Sequence, residues 1–85
     1  MAAALVVAPL LARDALHAIA LVGVVVATLV VELLNAAIET VCDRVTTERD
    51  EHVRLAKDYS SAAVTLAIVV GLVVWVEAAV SALLR

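Results

Sequence analysis

The stretch "VVELLNAAIETVCDR", Val30 to Arg44, decides how this chain is read. It sets Glu32, Asn35, Glu39 and Asp43 into the end of an otherwise apolar run. An ionisable side chain deep in a spanning helix costs about 2.5–3.5 kcal/mol on insertion scales, so such residues face a site or a partner. Which of the two applies depends on the rest of the chain.

The 85 residues are 66% hydrophobic, with a mean hydropathy of +1.14, one Trp, one Tyr and no Phe. A soluble domain this small is marginal even at ordinary composition, because it buries too little of its surface. Continuous runs of Val, Leu and Ala instead mark a chain dissolved in lipid. A net charge of −3 and the lack of a basic stripe speak against nucleic-acid binding. The single cysteine, Cys42, excludes an internal disulfide and any all-cysteine metal site. The expected fold is all-α, an integral membrane helical bundle forming one unit over residues 1–85.

Three apolar blocks organise the chain. The first, over 2–12, is too short to cross a hydrocarbon core of about 30 Å, which needs about 20 residues. It carries Pro9, expected to kink a helix there. No basic segment precedes it and no clear cleavage site follows, which argues against a signal peptide. It reads as a partial transmembrane helix, the far half of a span. The second block predicts a transmembrane helix over 15–41, with Asp14 as its N-cap. Its apolar part, Leu16 to Ile38, is about 34 Å long. Gly23 is expected as a packing notch between helices. The third block predicts a transmembrane helix over 60–84. Trp75 and Glu77 lie about 25 Å along it from Ser60, near the far interface, where Trp anchors and a carboxylate reaches water.

Residues 42–59 are expected as a loop. It carries Arg44, Arg49, Arg54 and Lys57, against Arg13 in the other connection and Arg85 at the C-terminus. The positive-inside rule therefore puts it in the cytoplasm. Thr46 or Thr47 is expected to cap a helix running into the third block, with Thr47 and Asp50 forming a weak capping box. Asp50–Arg54 and Arg54–Asp58, spaced i,i+4, would support that helix.

The acidic residues share one flank. At 100° per residue with Glu32 at zero, Asn35 falls at about 300°, Glu39 at about 340° and Asp43 at about 20°. Thr28 and Thr46 both fall at about 320°, so the six polar residues span an arc of about 80°. Asp43 adjoins the loop, Glu39 lies one turn deeper, and Glu32 about 10 Å beyond Glu39. Such a seam can join a water-soluble reactant to a lipid one. Carboxylates beside an amide oxygen favour Mg²⁺, which keeps several waters and binds phosphate oxygens besides. A carboxylate taken partly out of water holds a proton more readily, the property a general base near neutral pH needs. Lys57, at the wet end of the next helix, can meet a phosphate as a point charge. The alternative is that these polar groups only hold helices together by hydrogen bonds.

"VVELLNAAIETVCDR" followed by "LAKDYSSAAV" resembles the signature of the prokaryotic diacylglycerol kinase family, small integral-membrane lipid kinases that include undecaprenol kinase. The resemblance runs from about Ala12 to the C-terminus. It implies a homotrimer in the bacterial cytoplasmic (inner) membrane, with three transmembrane helices per subunit and active sites shared between subunits. It also implies MgATP-dependent phosphorylation of the diacylglycerol hydroxyl, giving phosphatidic acid. By motif position, Glu32 matches the proposed catalytic base and Asn35 the residue that places the reacting groups. Glu39 matches the metal-binding carboxylate, and Asp43 an acidic residue of mainly structural importance. Lys57 and Asp58 match the pair near the nucleotide phosphates. His17 and Cys42 have no counterpart in that site.

Against the family pattern, the chain is expected to be N-terminally truncated, with no counterpart here of the amphipathic surface helix and the start of the first transmembrane helix. That segment would bring a further glutamate to the metal and basic residues to the nucleotide. "TTERDEHVR" stands where the family has a "SPEYHEL"-like run, and "DYSS" where it has "DMGS" or similar, which bears on the nucleotide contacts. Two alternatives stay open: undecaprenol kinase with the same mechanism, and a truncated, non-catalytic helical membrane protein of the same fold. Transport fits poorly, because the seam does not continue to the far side.

Overall fold

Inside lipid, a helix satisfies every backbone N–H and C=O within its own segment, and long Ala/Leu/Val runs leave no other economical conformation. The computed structural model describes residues 1–45 and 50–85. These residues form three helices: α1 (Ala2–Leu11), α2 (Ala15–Val45) and α3 (Glu51–Leu84). The fold is all-α, as expected.

α2 has 31 residues and α3 has 34. At 1.5 Å per residue they are about 46 and 51 Å long, more than the hydrocarbon core requires. Only 6% of the most apolar window of each is buried inside the fold, so neither is the core helix of a soluble domain. The chain is a membrane protein. α1, with 10 residues, cannot cross alone. Pro9 sits in its last turn, and the helix ends two residues later at Leu11, with Ala12 extended.

At the α1–α2 turn, Asp14 caps α2 as expected: its carboxylate accepts the His17 N–H at 2.8 Å. His17 Nδ1 in turn accepts the Arg13 N–H at 3.0 Å, a reciprocal arrangement like a capping box. Arg13 then reaches α3. Its guanidinium pairs with Glu77 and donates to Ser81 Oγ at 3.3 Å, while His17 Nε2 lies 3.4 Å from the other Glu77 oxygen. Arg85 donates to the carbonyls of Leu11 (2.6 Å) and Ala12 (3.3 Å), which the end of α1 would otherwise leave open. Glu77 is thus half-exposed and tied to the turn.

The apolar core sits beside this cluster. Ala8, Leu21 and Ala78 are fully buried, with Val22, Val74 and Trp75 packed around them. The two alanines let the three helices approach closely. Trp75 completes the contact by donating its indole N–H to the Leu21 carbonyl at 3.1 Å. Gly23, expected as a packing notch, is not one within this chain: a Cβ there would meet nothing within 4 Å. It lines a shallow apolar groove between α1 and α2 instead, because the close contact falls at Leu21.

The segment expected as a loop over 42–59 is largely helical. α2 continues to Val45 and α3 begins at Glu51. Asp50 is the N-cap of α3, accepting the N–H groups of His52 (2.9 Å) and Val53 (3.1 Å). Thr46 and Thr47, expected as caps, lie outside the described residues, as does Arg49. Since Asp50 is committed to the backbone, the expected Asp50–Arg54 pair gives way to Glu51–Arg54, while Arg54–Asp58 forms at 3.2 Å. Local pairs and a cap are what a charged sequence needs to hold a helix in water.

Asp50→Ala should therefore fray the first turn of α3. The expected cost is about 1 kcal/mol, seen as about fivefold faster amide exchange at His52 and Val53 with the core around Leu21 unaffected.

Candidate functional site

The seam residues of α2 meet α3 at its charged end. Lys57 and Ser60, one turn apart on α3, face Asp43, Glu39 and Asn35, each one turn apart on α2. Lys57 Nζ donates to Asp43 Oδ1 at 2.8 Å. Ser60, only 7% exposed, donates its hydroxyl to Asn35 Oδ1 at 2.6 Å. The Asn35 amide nitrogen faces Glu39 Oε1 at 3.5 Å, a long and weak contact. Glu39 therefore lies between two crosslinks, one turn to either side, and is itself half-buried. Buried Cys42 packs at the same end.

The Lys57 ammonium is held above its ordinary range. Its hydrogen bond to Asp43 is the largest cause, and the Asp43 and Glu39 charges add to it against some loss of water. With three N–H donors on an ammonium, the bond to Asp43 leaves others for a further oxygen.

Glu32 lies deeper, about 10 Å along α2 from Glu39. Among the described residues no hydrogen bond or ion pair joins it to the cluster. It stands at the wall of a groove of about 260 Å³ between α2 and α3, lined also by Thr28, Leu29, Ile68, Gly71, Leu72 and Trp75. Among the described residues of that lining, Glu32 alone is ionisable. Midway along the groove Thr28 comes against Gly71: a Cβ on the glycine would sit 3.9 Å from Thr28 Oγ1. Thr28 donates its own hydroxyl to the Val24 carbonyl at 2.8 Å and so is satisfied without the groove. The arrangement joins an apolar trough, a carboxylate at its edge, and an acidic and basic cluster one further step toward the charged end.

The structure thus brings together Asn35, Glu39, Asp43 and Lys57, and leaves Glu32 deeper on the same helix, at the edge of the groove. It does not bring Asp58 in. Asp58 is on the outer face of α3, paired with Arg54. Thr46, at about 320° on the expected seam, lies outside the described residues. Ser60 is the residue that sequence reasoning missed. Its signal is the spacing: it follows Lys57 by one turn, on the face that Lys57 presents to α2. The Arg13–His17–Glu77–Ser81 cluster was equally hidden. Its signal is a pair of i,i+4 steps on helices that pack together.

No three His, Cys, Asp or Glu side chains gather into a metal-binding group among the described residues. Glu39 is the one seam carboxylate at the cluster's centre that is not committed to an ion pair there.

The sequence profile of the family described as "Prokaryotic diacylglycerol kinase" matches residues 1–79. The chain is 43% identical over 72 residues to a diacylglycerol kinase of Escherichia coli strain K12, covering 85% of this chain and 59% of that protein. It is 40% identical over 65 residues to a diacylglycerol kinase of Haemophilus influenzae, covering 76% of this chain and 55% of that relative. With a diacylglycerol kinase of Pseudomonas aeruginosa it shares 46% identity over 55 residues, 65% of this chain and 45% of the relative. The chain thus spans about half to three-fifths of the length of the curated relatives it matches. It belongs to the prokaryotic diacylglycerol kinase family.

The raised Lys57 value sets the sign of a pH effect. A cation whose value is raised by folding contributes stability that is complete below its ordinary value of 10.5 and lost as pH climbs past the folded one. The Asp43–Lys57 crosslink should accordingly be constant from neutral pH upward and fail only in strong alkali. A nitrogen-detected titration of Lys57 should give a midpoint above that of a free lysine, and Asp43→Asn should bring it down.

Proposed function

We propose that this chain transfers the γ-phosphate of ATP to the free hydroxyl of diacylglycerol in a bacterial cytoplasmic membrane, giving phosphatidic acid. One observation carries the reading: a lone carboxylate, Glu32, at the edge of an apolar trough, in line on one helix with Glu39 and, across from it, Lys57. The family's name and those of the relatives supply the substrate class.

The chemistry divides between the two halves of the seam. An acceptor lipid lies with its chains along the trough and its hydroxyl at Glu32. Glu32 takes the hydroxyl proton as the oxygen attacks the γ-phosphorus, and the bond to the β,γ-bridging oxygen breaks to release ADP. At the charged end, free donors of the Lys57 ammonium meet the phosphate oxygens as a point charge. Asp43 keeps that ammonium in place and charged. Asn35 holds the near side of Glu39. Asp58 keeps Arg54 at the rim, and its assignment to the nucleotide rests on its place in the motif.

The donor set fits magnesium rather than a metal held in an all-protein cage, because Mg²⁺ is bound through one or two carboxylates with phosphates and retained water. Glu39 is the residue that would hold it. When bound, the ion neutralises charge on the transferred phosphoryl group. We place the charged end in the cytoplasm, where Arg44, Arg54 and Lys57 follow the positive-inside rule and ATP is at hand. A homotrimer with shared sites is part of the same proposal, supported by family membership.

The test is a panel of lipids with labelled ATP. Transfer to diacylglycerol is expected, and transfer to undecaprenol alone would replace the acceptor. Glu32→Gln should lower turnover by about a hundredfold or more with MgATP binding intact. Glu39→Gln should instead raise the requirement for Mg²⁺ and ATP together by about tenfold, the equivalent of one charge-assisted contact. Wild-type turnover in both variants would remove the seam from the mechanism.

A further inference from the structure

We infer that Ser60 is a positioning residue: its hydroxyl locks the Asn35 amide so that the NH₂ side faces Glu39 and holds that carboxylate in register. The inference deepens the kinase reading and rests on it.

The polarity of the chain Ser60–Asn35–Glu39 follows from donor counting. The Asn35 atom facing Glu39 is its NH₂ group, a donor set against a carboxylate oxygen that accepts. The amide oxygen is then turned to Ser60, which has to donate. A serine hydroxyl carries a single proton, and two acceptors compete for it: Asn35 Oδ1 at 2.6 Å and the Lys57 carbonyl at 3.0 Å. The shorter contact is the one to α2. Were Ser60 to turn its proton to its own helix, the Asn35 amide would be free to rotate, and its oxygen would face Glu39 and repel it.

Burial makes the lock stiff. Ser60 is 7% exposed and Asn35 half-buried, so water is a poor substitute for either partner. The Asn35–Glu39 contact is long at 3.5 Å and weak by itself, so a hold on the other side of the amide bears directly on it. Ser60 supplies that hold from a different helix, so the placing of Glu39 depends on how α3 sits against α2. Ser60 is not among the described residues that line the trough.

The chain offers a direct probe, since Asn35 is its sole Asn or Gln and gives its sole side-chain amide signal. In ¹⁵N-asparagine-labelled protein in micelles, water exchange of that NH₂ group should be about fivefold faster in Ser60→Ala than in wild type, and restored in Ser60→Thr. Kinetically, Ser60→Ala should raise the KM for MgATP by about fivefold and leave the KM for diacylglycerol unchanged. In an Asn35→Ala background, Ser60→Ala should add nothing, which tests the route through Asn35 even if the threonine does not fit. Unchanged exchange with unchanged KM, or full additivity in the double variant, would overturn the inference and leave the kinase reading intact. A wild-type chain with no phosphate transfer, but with the exchange effect present, would discard the kinase reading and leave the hold of Ser60 on Asn35 standing.

Discussion

Two crosslinks between α2 and α3, Lys57 to Asp43 and Ser60 to Asn35, fix the rotation of α2 about its own axis at the charged end. Everything polar on the helix follows from that rotation. With Asn35 and Asp43 turned to α3, Glu39 is carried between them, and Glu32 is carried to the edge of the trough. The energetic reason is the poor tolerance of apolar surroundings for unpaired polar groups: Asn35 and Asp43 find partners on α3, and Glu39 meets Asn35 on its own helix. The same contacts that hold the hairpin together therefore aim the groups that the proposed chemistry needs.

The opposite end is held differently. There the buried contacts are apolar, Leu21 with the small Ala8 and Ala78, closed over by Trp75 and by the Arg13–Glu77 pair. Both ends are anchored, and the grooves open between them on either flank of the Thr28–Gly71 contact. Much of the remaining surface is large and apolar, for example Leu33, Leu66, Leu72 and Val73, and it is met by lipid or by other helices. The apolar groove between α2 and α3 opens to the side of the hairpin rather than through an enclosed channel.

Much of this was legible in the sequence. Long apolar runs dictated the two spanning helices, Asp14 declared the start of α2, and the angular arithmetic put Glu32, Asn35, Glu39 and Asp43 on one flank. These properties belong to single helices. What escaped belongs to pairs of helices. Ser60 looked like one more small residue until the register of α3 against α2 set it opposite Asn35. Glu77 read as an ordinary interfacial residue, and its joining to Arg13, His17 and Ser81 stayed hidden, because nothing in one helix says which residues face it from another. Gly23 suggested a close approach that occurs at Leu21 instead. The charged stretch looked like a loop because its composition is that of one; Asp50 and the Glu51–Arg54–Asp58 pairs make it a helix.

The spacing between the two anchored ends has a consequence for where this protein can work. Lys57 and Glu77 stand twenty residues apart on α3, about 30 Å, which is the thickness of an ordinary hydrocarbon slab. Ionic fixtures at both borders allow little slippage along the membrane normal, so the hairpin acts as a gauge. In a thinner or thicker bilayer the mismatch is taken up by tilt or by deforming the lipid. The height of Glu32 relative to the glycerol backbones then changes with acyl-chain length, so that in the proposed reaction the host membrane's composition would set how well hydroxyl and carboxylate meet.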